Sequence, residues 1–231
     1  METPEQTLRG VLQTIENAAK LAGRPKAVRL LAVSKTRTAG EVHTLASAGQ
    51  HAFGENYVRE GAAKAAELAA LGLEWHLIGH LQSNKCREAA EAFDWVQSLD
   101  RPKLVAALDQ ARPAGRPPLN VLVQVNVDGE ASKSGCAPDD VAALAAQVAA
   151  APNLCLRGLM AIPEPHPDPQ QRRAAFRRLR ALFDQLAADH PGVDTLSMGM
   201  SEDFELAIAE GATMVRIGTA LFGPRAKPAQ N

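Results

Sequence analysis

The chain has 231 residues and carries 25 Lys and Arg against 26 Asp and Glu, a formal net charge of −1. That balance removes the electrostatic argument for a nucleic-acid or acidic-membrane partner and favours a small, locally bound ligand. Hydrophobic residues make up 46% of the chain and charged residues 22%, a globular composition, and no apolar run reaches the roughly 18 residues that cross a bilayer.

Apolar spacing predicts an opening helix on Leu8, Val11, Leu12 and Ile15. A first strand over Arg29–Ser34 and a helix over Ala39–Ala48 follow it. His51–Gly54 precedes a helix through Ala62 and Leu68, Glu74–Gly79 precedes one starting near Ser83, and Trp95–Leu99 precedes one over Lys103–Ala111. The fifth strand, Leu119–Asn126, is apolar on nearly every residue, as a strand covered on both faces should be. A helix with Val141, Leu144 and Val148 comes next. Then Cys155–Ile162 leads into a helix with Phe176, Leu179, Phe183 and Leu186 on one face, and Thr195–Met198 and Met214–Ile217 complete the set. On the long helix, Arg172, Arg173, Arg177 and Arg178 read as a solvated face without a function.

Eight strands, each followed by a helix or helical turn, predict an α/β fold. The expected architecture is a single (β/α)8 TIM-type barrel with an additional N-terminal helix, one domain over residues 1–231. The Pro-rich pieces 112–118 and 163–169 are loop-sized rather than linkers. An open doubly wound sheet is the alternative, but the Gly-x-Gly-x-x-Gly expected after its first strand is missing. Cys86, Cys136 and Cys155 are widely spaced, with no Cys-x-x-Cys, and the start Met1-Glu2-Thr3-Pro4 is not a basic-then-apolar leader. Three free thiols in a cytoplasmic protein are expected.

In such a barrel the chemistry belongs at the C-terminal ends of the strands. Alternation along Leu30-Leu31-Ala32-Val33-Ser34-Lys35 places Leu31, Val33 and Lys35 on one face, with the amine at the barrel mouth. A lysine losing hydration there can serve as a nucleophile toward an aldehyde, forming a Schiff base; a lysine snorkelling to solvent has the same spacing. Phosphate sites in these barrels use the loops after strands 7 and 8. Here those loops are Ser197-Met198-Gly199-Met200-Ser201-Glu202-Asp203 and Arg216-Ile217-Gly218-Thr219-Ala220. Each pairs glycine with a hydroxyl, which also describes an ordinary helix start. Lys35 opposite two such loops points to an aldehyde carrying a phosphate, and pyridoxal 5′-phosphate meets both requirements.

Five stretches, residues 32–36, 53–57, 76–85, 197–201 and 215–219, closely resemble the pyridoxal phosphate homeostasis proteins, single-domain barrels similar to the N-terminal domain of alanine racemase. The likeness runs from about residue 28 to 223, in order, departing at His80 within the third stretch and at Cys86 directly after it. It implies that Lys35 holds the cofactor as an internal aldimine, that Ser201, Gly218 and Thr219 hold its phosphate, and that Arg216 faces the pyridine nitrogen. It also implies a role in cofactor supply without known turnover; pyridoxal-phosphate-dependent apo-enzymes are the candidate partners, with direct receipt of the cofactor left open.

Other strand-end residues are weighed in that frame. Asn56 is a candidate to hydrogen-bond the cofactor ring, or a helix cap. His76 and His80 share a strand parity, but no third ligand accompanies them, so a hydrogen-bonded His76 in the barrel is expected ahead of a metal. Ser197 and Met160 complete the cofactor-binding set, Met160 with core filling as its alternative. Asn126 and the loop Glu130–Gly135 resemble a family segment beside the site, which a polar turn explains equally well.

Racemisation needs an acid/base group on each face of the substrate Cα. In the racemases that this chain resembles, a tyrosine from an additional domain supplies the second group, and here the single tyrosine is Tyr57. An arginine at the pyridine nitrogen also weakens the electron sink of carbanion chemistry. A non-catalytic binding module is therefore expected, with a pyridoxal-phosphate-dependent racemase and a cofactor-free Schiff-base aldolase as alternatives.

Overall fold

The computed structural model describes residues 3–24, 28–129 and 134–223. Eight strands, β1 (Arg29–Val33), β2 (Ala52–Glu55), β3 (Glu74–Leu77), β4 (Trp95–Leu99), β5 (Leu119–Gln124), β6 (Leu154–Met160), β7 (Thr195–Ser197) and β8 (Met214–Ile217), form a closed parallel barrel in sequence order. The closure is direct, with Leu31 opposite Arg216 and Ala32 opposite Ile217. Around it lie α2 (Ala39–Ser47), α3 (Val58–Glu67), α4 (Cys86–Ala92), α5 (Pro102–Ala111), α6 (Val141–Ala150), α7 (Pro169–Asp189), α8 (Phe204–Ala209) and α9 (Thr219–Phe222). The extra helix α1 (Pro4–Leu21) starts on a Thr3/Gln6 capping box and packs against α8 and α9, burying Leu8, Ile15, Ala18 and Ala19.

The main apolar core lies between strands and helices, where Phe53, Leu77, Val96, Val121 and Leu159 meet Leu45, Leu104, Leu144 and Phe176. Inward-facing residues make two smaller clusters. One holds Leu31, Ala52, Ile78 and Met214 with Val33 beside them, and the other holds Trp95, Leu122 and Met160. Leu31 and Val33 thus share the inward face that alternation assigned to them.

Strand starts and lengths differ from expectation by a residue or two. Strands β3, β5 and β6 end at Leu77, Gln124 and Met160, and Ile78, Gly79 and Ile162 beyond them line the mouth. The helix expected from Ser83 begins as a 3₁₀ turn over Ser83–Lys85 and becomes α-helical at Cys86. Cys86 and Cys136 are buried, Cys155 is partly exposed, and all three are thiols. Among the described residues no helix is long and apolar enough to cross a membrane.

Candidate functional site

Residues at the strand ends enclose a cavity of about 1000 Å³ lined by Lys35, Asn56, Ser201, Arg216, Gly218 and Thr219, with Val33 and Ile78 toward the barrel interior. Lys35 follows β1 in a segment held from behind. Lys64 Nζ donates to the Ser34 carbonyl at 2.8 Å, and the Ser34 hydroxyl donates to Glu55 Oε1 at 2.6 Å. The Thr36 N–H donates to Glu60 Oε1 at 2.6 Å. Lys64 ties the two carboxylates together at 2.8 Å each. Glu55 is fully buried, and that burial pushes its pKa up against the opposing pull of Lys64 and Ser34. Thr36 is left-handed, with φ 65°, a conformation that a β-branched residue adopts only when its surroundings impose it.

At the two hydroxyl-bearing loops the helix caps are other residues. Helix α8 is capped at Asp203, not Ser201, and Asp203 Oδ1 accepts from Met200 N–H at 2.7 Å. Thr219 is the first residue within α9 rather than its cap, which is Gly218. Both hydroxyl residues line the cavity instead. Gly199 serves the turn. Its φ is 92°, and a Cβ there would lie 2.5 Å from Ala207 Cβ, so it lets the chain pack on α8. Asn56 is likewise no helix cap, since α3 starts after Tyr57. Gly79 permits its position, because a Cβ there would come within 2.1 Å of the Asn56 carbonyl oxygen.

Three residues of the expected binding set lie outside the cavity lining. Met160 is fully buried against Trp95 and Leu122. His76 stacks on Trp95 at 5.0 Å between ring centroids and bonds to Gln97 and Glu74. Ser197 lies beneath Arg216, whose Nη1 donates to its hydroxyl at 2.7 Å, while Nη2 donates to the Ala161 carbonyl at 2.8 Å. The physical reason is depth: Ile78 and Ile162, two residues beyond His76 and Met160 and past the ends of β3 and β6, take the lining positions. Arg216 reaches the cavity from the same depth because its side chain is long. Burial lowers its pKa to about 10, so it stays a cation at neutral pH.

Other lining residues carry no local sequence signal. Arg37 is anchored to Glu41 and the Gly223 carbonyl. Arg172, expected on a solvated face, lines the cavity, and its Nε is buried without a hydrogen-bond partner among the described residues. Its neighbours Arg173 and Arg177 pair with Glu210, and Arg178 pairs with Asp128. His80 lines the cavity, with Nδ1 3.1 Å from the Ser134 hydroxyl. Lys85 pairs with Glu88 away from the cavity, Asn126 is not among the lining residues, and residues 130–133, including Lys133, lie outside the described residues. Tyr57 is 62% exposed and is not among the lining residues either.

The donor set suits a phosphorylated aldehyde, with an amine, two hydroxyl loops at helix starts and a buried cation around one cavity. Comparison with known proteins agrees in kind. The family model for the alanine racemase N-terminal domain matches residues 11–226. The pyridoxal phosphate homeostasis protein of Pseudomonas aeruginosa is 58% identical over 226 residues, covering 97% of each chain. That of Escherichia coli K12 is 50% identical over 219 residues, covering 93% of this chain and 94% of the other. The structure of PipY from Synechococcus elongatus with pyridoxal phosphate bound superposes with a TM-score of 0.78 at 39% identity, covering 91% of this chain and all of that one. With these matches across nearly its whole length, the chain belongs to the pyridoxal phosphate homeostasis protein family, built on the alanine racemase N-terminal domain.

Proposed function

We propose that the protein is a single barrel unit that binds pyridoxal 5′-phosphate in the cytoplasm, holds it for pyridoxal-phosphate-dependent apo-enzymes, and does not itself turn over amino acids. The observation that carries this reading is the convergence of Lys35, Ser201, Gly218, Thr219 and Arg216 on one cavity. When bound, the cofactor supplies an aldehyde and a phosphate. Lys35 would hold the cofactor through Nζ, the cofactor supplying an aldehyde that a lysine amine can condense with. The Ser201 and Gly218-Thr219 loops receive the phosphate through hydroxyls and first-turn N–H groups. Arg216, a cation at neutral pH, opposes protonation of the pyridine nitrogen when it faces that atom, which weakens the electron sink. Tyr57, the single tyrosine, is exposed and outside the lining, so it does not supply the second acid/base group that racemisation needs. The names of the relatives and the bound ligand of PipY support the same reading.

The test is a titration of the apo-protein with pyridoxal 5′-phosphate and with pyridoxal, followed by visible absorption. The expected result is a saturable band with the phosphorylated aldehyde and far weaker binding of pyridoxal; equal affinity removes the phosphate assignment. The loaded protein is then incubated with D- and L-alanine in D₂O. Deuterium entering Cα at catalytic rates, and lost in Lys35→Ala, would establish a racemase. Recovery of an apo-enzyme faster than with free cofactor would support delivery, and equal recovery would remove it.

A further inference from the structure

A chain of buried polar side chains runs through the barrel interior from the cavity to the opposite end. Arg216 Nη1 is 2.7 Å from Ser197 Oγ, and Ser197 Oγ is 2.7 Å from Gln97 Oε1. Gln97 Nε2 is 2.9 Å from His76 Nδ1, and His76 Nε2 is 2.7 Å from Glu74 Oε1. Arg29, at the first position of β1, closes the far end on the same carboxylate oxygen at 2.5 Å. Ser197, Gln97 and His76 are fully buried, and Arg216 is 3% exposed.

The two ends decide the direction of every bond between them. A guanidinium only donates and an ionised carboxylate only accepts. Burial works against the Glu74 charge, but the bonds from His76 and Arg29 outweigh it and bring its pKa down to about 2. Burial lowers the pKa of His76, so the ring is neutral at neutral pH and donates a hydrogen bond from Nε2–H to Glu74. Nδ1 must then accept from the Gln97 amide, whose oxygen accepts from the Ser197 hydroxyl, whose oxygen accepts from Arg216. All five donors, Arg29 included, point toward Glu74, an arrangement in which each bond polarises the next.

This network satisfies Arg216 without placing a carboxylate on it. Among the described residues its two Nη groups bond to uncharged oxygens, of Ser197 and Ala161, with Asp203 acting on it through charge alone, and the ionised group at the end of the chain lies at the start of β3, remote from the mouth. We propose that Gln97, His76 and Glu74 are positioning residues for the bound cofactor, acting through Ser197 to fix the orientation and electron demand of Arg216. This rests on the cofactor-binding reading above, with Arg216 at the ring.

Glu74→Gln tests it from the far end of the barrel, because it removes the charge and keeps an acceptor oxygen and the side-chain volume. Gln97→Leu severs the chain in the middle, and Glu88→Gln, on the surface, is the control. Each loaded variant is measured for absorption maximum, affinity for pyridoxal 5′-phosphate and melting temperature. Glu74→Gln and Gln97→Leu are expected to shift the maximum in the same direction and to weaken binding by between about 2- and 30-fold, with Glu88→Gln unchanged. In the apo-protein, ¹⁵N-labelled His76 is expected as the Nε2–H tautomer, a readout independent of cofactor. A lowered melting temperature with unchanged maximum and affinity in Glu74→Gln would overturn the proposal and leave a purely structural network, as would an Nδ1–H tautomer. Should Gln97→Leu not fold, Glu74→Gln and the tautomer decide. A wild-type protein that develops no band contradicts the cofactor reading instead.

Discussion

Lys35 and Thr36 are adjacent residues with different settings: one lines the cavity, and the other sits in a left-handed turn with the Glu60 carboxylate on its N–H. The inward parity of Lys35 was legible from alternation in β1, and the hydroxyls at 201 and 219 from their place after β7 and β8. The depth of His76, Ser197 and Met160 was not. Alternation tells which face a residue takes, but not which layer of the barrel it occupies, and Ile78 and Ile162 stand between two of these residues and the cavity. Gln97 had a signal in retrospect, as an inward polar residue two positions after Trp95 on a wholly buried strand. Two predictions belong at this scale. Thr219→Val keeps shape and loses a hydroxyl, so cofactor affinity measured by calorimetry is expected to fall by about 1–2 kcal/mol; unchanged affinity would place the phosphate elsewhere. Cys136 is buried, and its burial, together with the nearby Asp140 charge, pushes its thiol pKa up to about 12. Alkylation of the native protein at pH 8 is therefore expected to leave Cys136 unmodified on a timescale that fully labels the unfolded chain.

The β2–α3 pair acts as a bracket on the end of β1. Glu55 ends β2, and Glu60 and Lys64 lie one turn apart on α3. The three together hold Ser34 and Thr36 on either side of Lys35. Removing the cation alone strands a buried carboxylate, so Lys64→Met is expected to cost about 3–5 kcal/mol of stability in urea unfolding. The Lys64→Met/Glu55→Gln pair should recover part of it; additive losses would show that the ion pair is not coupled. The order of elements was readable because parallel strands covered on both faces have near-continuous apolar runs, and the helices between them carry an apolar stripe. The bracket was not, since it joins residues from three elements that meet only when the barrel closes.

Across the whole molecule the barrel separates two polar ends by two inward apolar clusters, and the Arg216–Glu74 chain crosses them. The far end predicts acid behaviour. The pKa of Glu74 is lowered from 4.5 to about 2, so the stability its charge contributes is present above pH 4.5 and is lost as the pH falls through about 2. Glu74→Gln is accordingly expected to flatten the fall in melting temperature over that window, and an unchanged acid profile would contradict the assigned bonds. The most direct measurement of the cofactor-holding role is borohydride reduction of the loaded protein followed by peptide mass mapping. A single pyridoxyl adduct on Lys35, absent from Lys35→Ala, is the predicted result; an adduct on Lys85 or any other lysine in place of Lys35 would contradict it.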